Sequence, residues 1–322
     1  EMSRGLGDVY KRQTINYTLI MKITVIGSSN IDMISNVRQL PGAGETVLGG
    51  RFMQAYGGKG ANQAVAASRL GADVTFISAV GDDSFGTEQI RHFVSEGMST
   101  DGISTIKGEH SGVALIMVDS HGENSISVCP GANAALDVDL LDSHRNMIQD
   151  ADVVLMQGEI PYATVKHAAR IARDAGASVI YNPAPVGPVD SEMYAMTDVM
   201  ILNQTEASQL TGISDDYKTA AETIRSRGVN TVIVTLGTEG SYALTQEDEY
   251  FVPSFKVKAV DTVGAGDTYC GAIAVEYAHH KNLNRDSLEF ASAASALSVT
   301  KHGAQPSIPF REDVLDFLSK QK

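Results

Sequence analysis

The chain has 322 residues, of which 43% are hydrophobic and 20% are charged, so its composition supports a sizeable core and argues against general disorder. Its 39 acidic and 25 basic residues give a formal charge of −14, which disfavours nucleic acid or an anionic membrane as the main partner, because both recruit lysine and arginine. Two widely separated cysteines, Cys129 and Cys270, offer neither a disulfide framework nor a metal site, and this usage predicts a reducing, cytoplasmic location.

The first twenty residues differ from the rest of the chain. They begin with Glu1, are polar, and show no sustained hydrophobic period, whereas the chain from Met21 reads like the first buried strand of an α/β fold. We therefore predict that residues 1–20 are a non-native or disordered extension and that residues 21–322 form the domain.

From Met21 onward, short apolar runs alternate with helical stretches. The runs are rich in valine and isoleucine and apolar at nearly every residue, as in strands buried on both faces. The alternation predicts an α/β fold with a central, mostly parallel sheet flanked by helices. The predicted strands are Ile23–Ile26, Val74–Val80, Val153–Gln157, Ser178–Asn182, Val199–Leu202 and Thr231–Leu236. The predicted helices are Ala61–Leu70, Tyr162–Asp174, Thr205–Thr211, Tyr217–Arg227, Tyr269–His279, Asp286–Thr300 and Arg311–Lys320.

Two regions interrupt this alternation. Residues 33–55 and 110–129 combine β-favouring side chains with turn formers such as Pro41-Gly42 and His121-Gly122. We interpret them as extended antiparallel pieces of a small β-sheet that projects from the main domain and covers a site.

A glycine-rich run, Gly57–Ala64, precedes a predicted helix. Its glycines let the backbone approach a ligand closely, and the helix start presents backbone amides. Lys59 and Asn62 add polar side chains at the same corner, although a lone glycine cluster is more simply a tight turn. A Walker A sequence and a complete GxGxxG after a strand are both missing, which disfavours P-loop hydrolases and ordinary dinucleotide-binding proteins.

A second glycine-rich turn comes before the long helix near the C-terminal end. Gly264, Ala265 and Gly266 can direct consecutive amides at one point, which suits the charge on a transferring phosphoryl group. Asp267 alone could be a helix cap. Because Asp261 and Asp267 stand on either side of the turn, we favour an anion hole beside a catalytic carboxylate.

Polar residues also follow several predicted strands, where ligands bind in open parallel sheets. Asn30 and Asp32 follow the first strand and suit a polyol, whose hydroxyl groups need donors and acceptors, although an Asx turn explains them too. Glu159 follows the third strand on the same rim. Asn203 and Glu206 follow the fifth, where Glu206 could act on a metal-bound phosphate or simply favour a helix start.

Together these stretches resemble the PfkB carbohydrate kinase family from about residue 21 to 322, and within it the branch that acts on ribose. The resemblance implies a ribose-kinase type of α/β fold with a small β-sheet lid, and ATP-dependent phosphorylation of D-ribose at O5, with Mg²⁺ accompanying ATP. The matching pieces are GGKGANQA at 57–64, DTVGAGD at 261–267, NQTE at 203–206, KHGAQPS at 301–307, Asn182–Pro185 and Gly131–Leu136.

The resemblance carries roles over to the matching positions. Asp267 is expected to be the general base for the 5-hydroxyl, an aid worth typically ~10²–10⁴-fold. Its anion hole would be formed by the amides of Gly264, Ala265 and Gly266. The sugar is expected at Asn30, Asp32, Gly58, Lys59, Asn62, Glu159 and Asp267. The nucleotide is expected at Asn203, Glu206, Thr235, Gly237, Gly240 and Gly266.

The same resemblance implies an activating monovalent cation, K⁺, beside the anion hole, and oxygen ligands suit such a hard cation. Its expected positions are Asp261, Val263, Ser298, Lys301, Gly303 and Ser307. The projecting sheet is expected to exclude water and to form a homodimer interface.

Two alternatives stay open from the sequence. One is a related kinase that acts on 2-deoxyribose or another small sugar. Asn30 favours ribose over these substrates, because its amide can hydrogen-bond an extra hydroxyl group. The other is a sensor that binds sugar without catalysis, and the intact base, anion hole and NxxE element oppose it.

Overall fold

The computed structural model describes residues 21–321, so the predicted extension at 1–20 lies outside the described residues. The strands are β1 (Lys22–Ile26), β2 (Asn30–Asn36), β3 (Phe52–Gly57), β4 (Asp73–Gly81), β5 (Ile103–Ile106), β6 (Gly112–Val118), β7 (Asn124–Cys129), β8 (Val153–Gln157), β9 (Ser178–Asn182), β10 (Val199–Asn203), β11 (Thr231–Thr235), β12 (Gly240–Leu244) and β13 (Glu249–Pro253). The helices are α1 (Lys59–Arg69), α2 (Ser84–Ser95), α3 (Val138–Asp142), α4 (Arg145–Gln149), α5 (Tyr162–Ala175), α6 (Ser191–Met196), α7 (Gln204–Thr211), α8 (Tyr217–Ser226), α9 (Ala265–His280), α10 (Arg285–Ser298) and α11 (Arg311–Ser319).

The main sheet of this part of the chain has nine strands in the order β13-β12-β11-β10-β9-β8-β1-β4-β5. The seven strands from β11 to β5 are parallel, and β12 and β13 form an antiparallel edge. This confirms the predicted mostly parallel sheet. The prediction missed β5, β12 and β13. The edge strands β5 and β13 are partly exposed, and β12 is buried but begins with glycine and serine, so none of the three has a continuous apolar run.

Both faces of the main sheet are covered by helices. Along β8, Val153 and Leu155 pack into one hydrophobic cluster while Val154 and Met156 pack into the other. The first cluster includes residues of α1, α9, α10 and α11, and the second includes residues of α5 and α8. Successive side chains of a strand point to opposite faces, so burial on both sides requires the apolar runs seen in the sequence. Among residues 21–321, no helix combines the length and apolar character needed to cross a bilayer.

The two interrupting regions form a four-stranded sheet in the order β3-β2-β6-β7. Its outer pairs are antiparallel, as expected, but the central pair β2–β6 is parallel. The reason is that both strands start at the rim of the main sheet, with Asn30 opposite Gly112, and run outward together. We call this four-stranded sheet the lid sheet.

Candidate active site

The predicted site residues gather at the rim formed by the carboxyl ends of the parallel strands. β1 leads to Asn30, β8 leads to Glu159, and β10 ends at Asn203. Helices α1 and α9 begin at the same rim with Lys59 and Ala265. Open α/β sheets bind their ligands in this position, because the helix N-termini and strand ends converge there.

Asp267 lies at the centre of this rim, in the first turn of α9, and is 8% exposed. Its Oδ2 accepts a hydrogen bond from Asn62 Nδ2 at 2.9 Å, and its Oδ1 accepts one from Gln63 Nε2 at 3.0 Å. The helix is preceded by Gly264, and no side chain caps it. Asp267 therefore does not act as a helix cap, and its carboxylate faces the side chains of α1.

Lys59 brings a positive charge into an acidic pocket. The charge of Asp267 raises the pKa of Lys59 above its ordinary value; burial opposes this, and Glu159 and Glu206 add to it. The backbone amide of Lys59 donates to Glu159 Oε2 at 2.9 Å, and the same oxygen accepts a bond from Ser28 Oγ at 2.5 Å. Lys59 stays charged at neutral pH, and Glu159 is anchored beside it.

Asp32 lies on β2 within the same cluster of carboxylates. Burial, reinforced by the negative charges of Glu159 and Asp267, raises the pKa of Asp32 to about 7. The side chain is therefore divided between its acid and carboxylate forms near neutral pH. Either form can hydrogen-bond a hydroxyl group, as a donor when protonated or as an acceptor when ionised.

Asn30 is oriented by Asn133, a residue that the sequence analysis did not single out. Asn133 Nδ2 donates to Asn30 Oδ1 at 2.8 Å, so the nitrogen of the Asn30 amide remains the donor available to a ligand. Asn133 also bonds the backbone of Ser29 in both directions. Gly58 lies at the same corner with a φ of 88°, and a Cβ on it would lie 2.8 Å from the backbone nitrogen of Asn30. The only available signal for Asn133 was its place in the Gly131–Leu136 motif.

The glycine turn before α9 adopts a left-handed conformation. Gly264 has a φ of 77°, and a Cβ on it would lie 3.0 Å from Ala304. The first amides of a helix have no acceptor inside it, so the start of α9 presents donors and a positive dipole end at the rim. One of the predicted anion-hole donors is partly engaged, since the Ala265 amide donates to the Thr262 carbonyl at 3.3 Å.

A cavity of about 460 Å³ opens beside the start of α9. It contains four of the predicted nucleotide residues: Thr235, Gly237, Gly240 and Gly266. The remaining wall comes from the segment after β13, from the start of α9 and from α10 and the residue after it. Most of these residues are small or apolar, such as Val257, Ala259, Ser292, Ala296 and Val299, and Lys256 adds one positive charge. A flat heterocycle suits a slot of this kind, because it is held mainly by shape and apolar contact.

Asn203 and Glu206 do not line that cavity. The backbone amide of Asn203 donates to Glu206 Oε2 at 2.8 Å, and the backbone amide of Glu206 donates to Asn203 Oδ1 at 2.8 Å. These two bonds form a capping box at the start of α7. Burial raises the pKa of Glu206, the positive charge of Lys59 opposes this, and Asp267 adds to it. Glu206 therefore starts the helix, as one interpretation predicted, and it also lies near the charges of Lys59 and Asp267; its action on a metal-bound phosphate stays a prediction.

The segments expected to hold K⁺ lie together. Asp261 Oδ1 accepts a bond from the Val263 amide at 3.0 Å, and its Oδ2 accepts one from the Gly303 amide at 2.9 Å. The Asp261 amide itself donates to the Val299 carbonyl at 3.2 Å. The remaining expected positions, Ser298, Lys301 and Ser307, belong to the same turn region at the end of α10 and beyond.

Comparisons with known proteins agree with the fold. Residues 21–311 match the pfkB family carbohydrate kinases. The chain is 40% identical over 300 residues to a ribokinase of Haemophilus influenzae, covering 92% of this chain and 98% of the relative. It is 36% identical over 304 residues to a deoxyribokinase of Salmonella typhi, covering 93% and 99%.

Among solved structures, the ribokinase of Arabidopsis thaliana complexed with ribose and ATP superposes with a TM-score of 0.87 at 32% identity, covering 93% of this chain and 99% of that one. The chain belongs to the PfkB family of carbohydrate kinases. The resemblance seen in its sequence is confirmed.

Proposed function

We propose that this protein transfers the γ-phosphoryl group of ATP to O5 of D-ribose, giving D-ribose 5-phosphate and ADP. The observation that carries the proposal is the position of Asp267. Its buried carboxylate lies between the polar side chains at the strand ends, which suit a sugar, and the 460 Å³ cavity beside the start of α9. The ribokinase relatives and the ribose and ATP complex of one of them support the choice of substrates.

In the proposed reaction, Asp267 takes the proton of the 5-hydroxyl as O5 forms its bond to the γ-phosphorus. The bond from phosphorus to the β–γ bridging oxygen breaks, and ADP leaves. The amides at the start of α9 and the charge of Lys59 stabilise the negative charge on the transferring group. Each of these groups acts most strongly in the transition state, when charge has moved onto the phosphoryl oxygens.

Mg²⁺ would enter with ATP and neutralise charge on its phosphates. Glu206 faces Lys59 and Asp267 and carries a carboxylate, the ligand type that Mg²⁺ or its bound waters prefer. Asn203 would hold that carboxylate in place through the capping box. The remaining predicted sugar residues, Asn30, Asp32, Gly58, Lys59, Asn62 and Glu159, would bind the ribose hydroxyl groups.

The proposed K⁺ site is the turn region tied together by Asp261. A carboxylate and backbone carbonyl groups are the oxygen ligands that suit a hard monovalent cation. Asp261 accepts amide bonds from both segments, so a cation bound there would stabilise the turn that leads into Gly264 and α9. This arrangement supports an activating rather than a reacting role for the cation.

The lid sheet supports the proposed homodimer. β7 is an edge strand in which every residue is exposed, and its Ile126 and Val128 are 54% and 50% exposed. The neighbouring Leu115 on β6 is 48% exposed. An exposed edge strand with apolar side chains is a surface that a second copy can cover. We also propose a cytoplasmic location, which the two unpaired cysteines support.

A kinase for 2-deoxyribose is the second candidate, because a deoxyribokinase is also among the relatives, at 36% identity against 40% for the ribokinase of Haemophilus influenzae. ADP release from Mg·ATP should be measured with ribose, 2-deoxyribose, fructose and adenosine, in K⁺ and again in Na⁺. We expect the fastest turnover with ribose in K⁺. Faster turnover with 2-deoxyribose would move the proposal to the second candidate, and ribose binding without turnover would support a sensor.

A further inference from the structure

A chain of buried side-chain amides lies behind the catalytic rim, and the proposed reaction makes no direct use of most of it. It joins the first turn of α1 to the ends of β8 and β9 and to the turn after α10. All of its members are nearly inaccessible to solvent, with exposed fractions between 0% and 6%: Asn62, Gln63, Gln157, Asn182 and Gln305. Hydrogen bonds in a low-dielectric interior are strong enough to orient the side chains that form them. Gln157 is bound through its nitrogen alone, because its Oε1 has no hydrogen-bond partner among the described residues.

Gln63 occupies the middle of this chain. Its Oε1 accepts a hydrogen bond from Gln157 Nε2 at 2.8 Å, so its nitrogen must face the other way. That nitrogen donates to Asp267 Oδ1 at 3.0 Å and to Asn182 Oδ1 at 3.1 Å. Asn182 presents its oxygen because its own nitrogen is bound to the Ile201 carbonyl at 2.9 Å. Both hydrogens of the Gln63 amide are therefore used, and its polarity is determined by its neighbours.

The neighbouring Asn62 is oriented in the same way. Its Oδ1 accepts a bond from Gln305 Nε2 at 3.1 Å, which leaves its nitrogen to donate to Asp267 Oδ2 at 2.9 Å. Gln305 is held in turn, since its Oε1 pairs with His92 Nε2 at 2.7 Å and its carbonyl accepts a bond from Arg69 at 2.8 Å. Each oxygen of Asp267 thus receives one amide donor of fixed direction.

We propose that Gln63, oriented by its hydrogen-bond partners, is a positioning residue that holds the carboxylate of Asp267 aimed at the sugar hydroxyl. The inference rests on the proposed function. A carboxylate oxygen has two lone pairs, so one on each oxygen of Asp267 stays free for the substrate. Donors to a carboxylate favour its ionised form, and only that form can accept the proton from O5.

Other charged and titratable groups also face Asp267. They are Asp32 from β2, Lys59 from α1, Glu206 from α7 and Cys270 from α9 itself. Glu159 faces Asp32 and Lys59 in the same cluster. All of these groups are retained when Gln63 or Gln157 is substituted, so a change in the pH profile reports the loss of the amide donor.

The test begins with Gln63→Leu, which is close in size and removes the donor. We expect kcat to fall about 10- to 100-fold while the KM for ribose stays within about twofold, because the variant changes the base rather than the sugar contacts. The acid limb of the kcat–pH profile should move to higher pH, since the carboxylate has lost a stabilising hydrogen bond.

A second variant separates positioning from packing. Gln63→Leu leaves the amide of Gln157 without an acceptor, and this could damage folding on its own. The double variant Gln63→Leu/Gln157→Leu removes that unpaired group, while Asn182 Oδ1 still lacks its donor. We therefore expect part of the thermal stability to return, with kcat still low and the acid limb still shifted. Return of kcat and of the wild-type pH profile in the double variant would overturn the proposal.

Two further variants complete the experiment. Thr164→Val removes a buried hydrogen bond to the Leu136 carbonyl, away from the rim, and should leave kcat and the acid limb unchanged. Asp267→Asn tests the proposed function separately. Wild-type turnover in Asp267→Asn would refute the general base itself, whereas an inactive Asp267→Asn beside an unaltered Gln63→Leu would refute only the role of Gln63.

Discussion

The two sides of the reacting centre are built differently. On the sugar side, buried polar side chains form a continuous hydrogen-bonded network, in which Asn62 and Gln63 each have defined partners. On the proposed nucleotide side, the cavity is lined mainly by glycines, small hydroxyl residues and apolar side chains, together with Tyr269 and Lys256. We infer from the difference that the acceptor hydroxyl and the proposed base need a fixed orientation, whereas the nucleotide would be held mainly by shape and by its phosphates.

The largest effect should come from the base. Asp267→Asn keeps the shape but cannot take the proton from O5, so we expect kcat to fall by about 10²- to 10⁴-fold. Ribose affinity should change little, because the other sugar contacts remain. Steady-state kinetics together with calorimetric ribose binding would check both points, and a large loss of ribose affinity with unchanged kcat would contradict this role.

A pair of substitutions compares the two sides directly. Asn62→Ala removes a donor to Asp267 and leaves the Gln305 amide without its acceptor, so kcat/KM for ribose should fall at least about 100-fold. Ser292→Ala removes a hydroxyl from the cavity wall and should change the KM for ATP less than about threefold, because shape is preserved. If Ser292→Ala impaired ATP use as strongly as Asn62→Ala impaired ribose use, the proposed difference between the two sides would be wrong.

The left-handed turn before α9 should also be sensitive. Gly264→Ala places a side chain at φ 77° and 3.0 Å from Ala304, so we expect about 1–2 kcal/mol of destabilisation and a lower kcat. Gly176→Ala is the matched control, with φ 82° and no atom within 4 Å of the added Cβ. It should lose similar stability without losing kcat, and a normal kcat in Gly264→Ala would argue against the anion hole.

The smallest effect concerns stability and pH at Asp32. The pKa of Asp32 in the folded protein is about 7, above the ordinary value of 3.8. Ionising Asp32 therefore lowers the free energy of unfolding, and this destabilisation is absent below about pH 4 and complete above about pH 7. Asp32→Asn should raise the free energy of unfolding by about 1–2 kcal/mol at pH 8, with the gain vanishing towards pH 4. Urea unfolding without ligands, with the exposed Asp215→Asn as control, would test this; a gain that persists at pH 4 would count against it.

Much of the architecture could be predicted, because strands buried on both faces require continuous apolar runs such as Val153–Gln157. The edge strands β5 and β13 could not, since partial exposure removes that pattern. The parallel pairing of β2 with β6 also escaped prediction, because it depends on where both strands leave the main sheet.

The site divides in the same way. Lys59 and Asp267 could be found because glycine-rich turns mark them in the sequence. Gln63 lies inside the same motif, but its role depends on Gln157, which is distant in the chain and meets it only after folding. Asn133 was missed for the same reason, since its contact with Asn30 joins residues 103 positions apart.

The most direct test of the central claim is to identify the product. ³¹P NMR of the full chain with ribose, Mg·ATP and K⁺ should show ribose 5-phosphate and ADP appearing in equal amounts, and both should form at least about 100-fold more slowly with Asp267→Asn. A phosphate ester at another hydroxyl, ADP formed without any sugar phosphate, or product formation by Asp267→Asn at the wild-type rate would contradict the account.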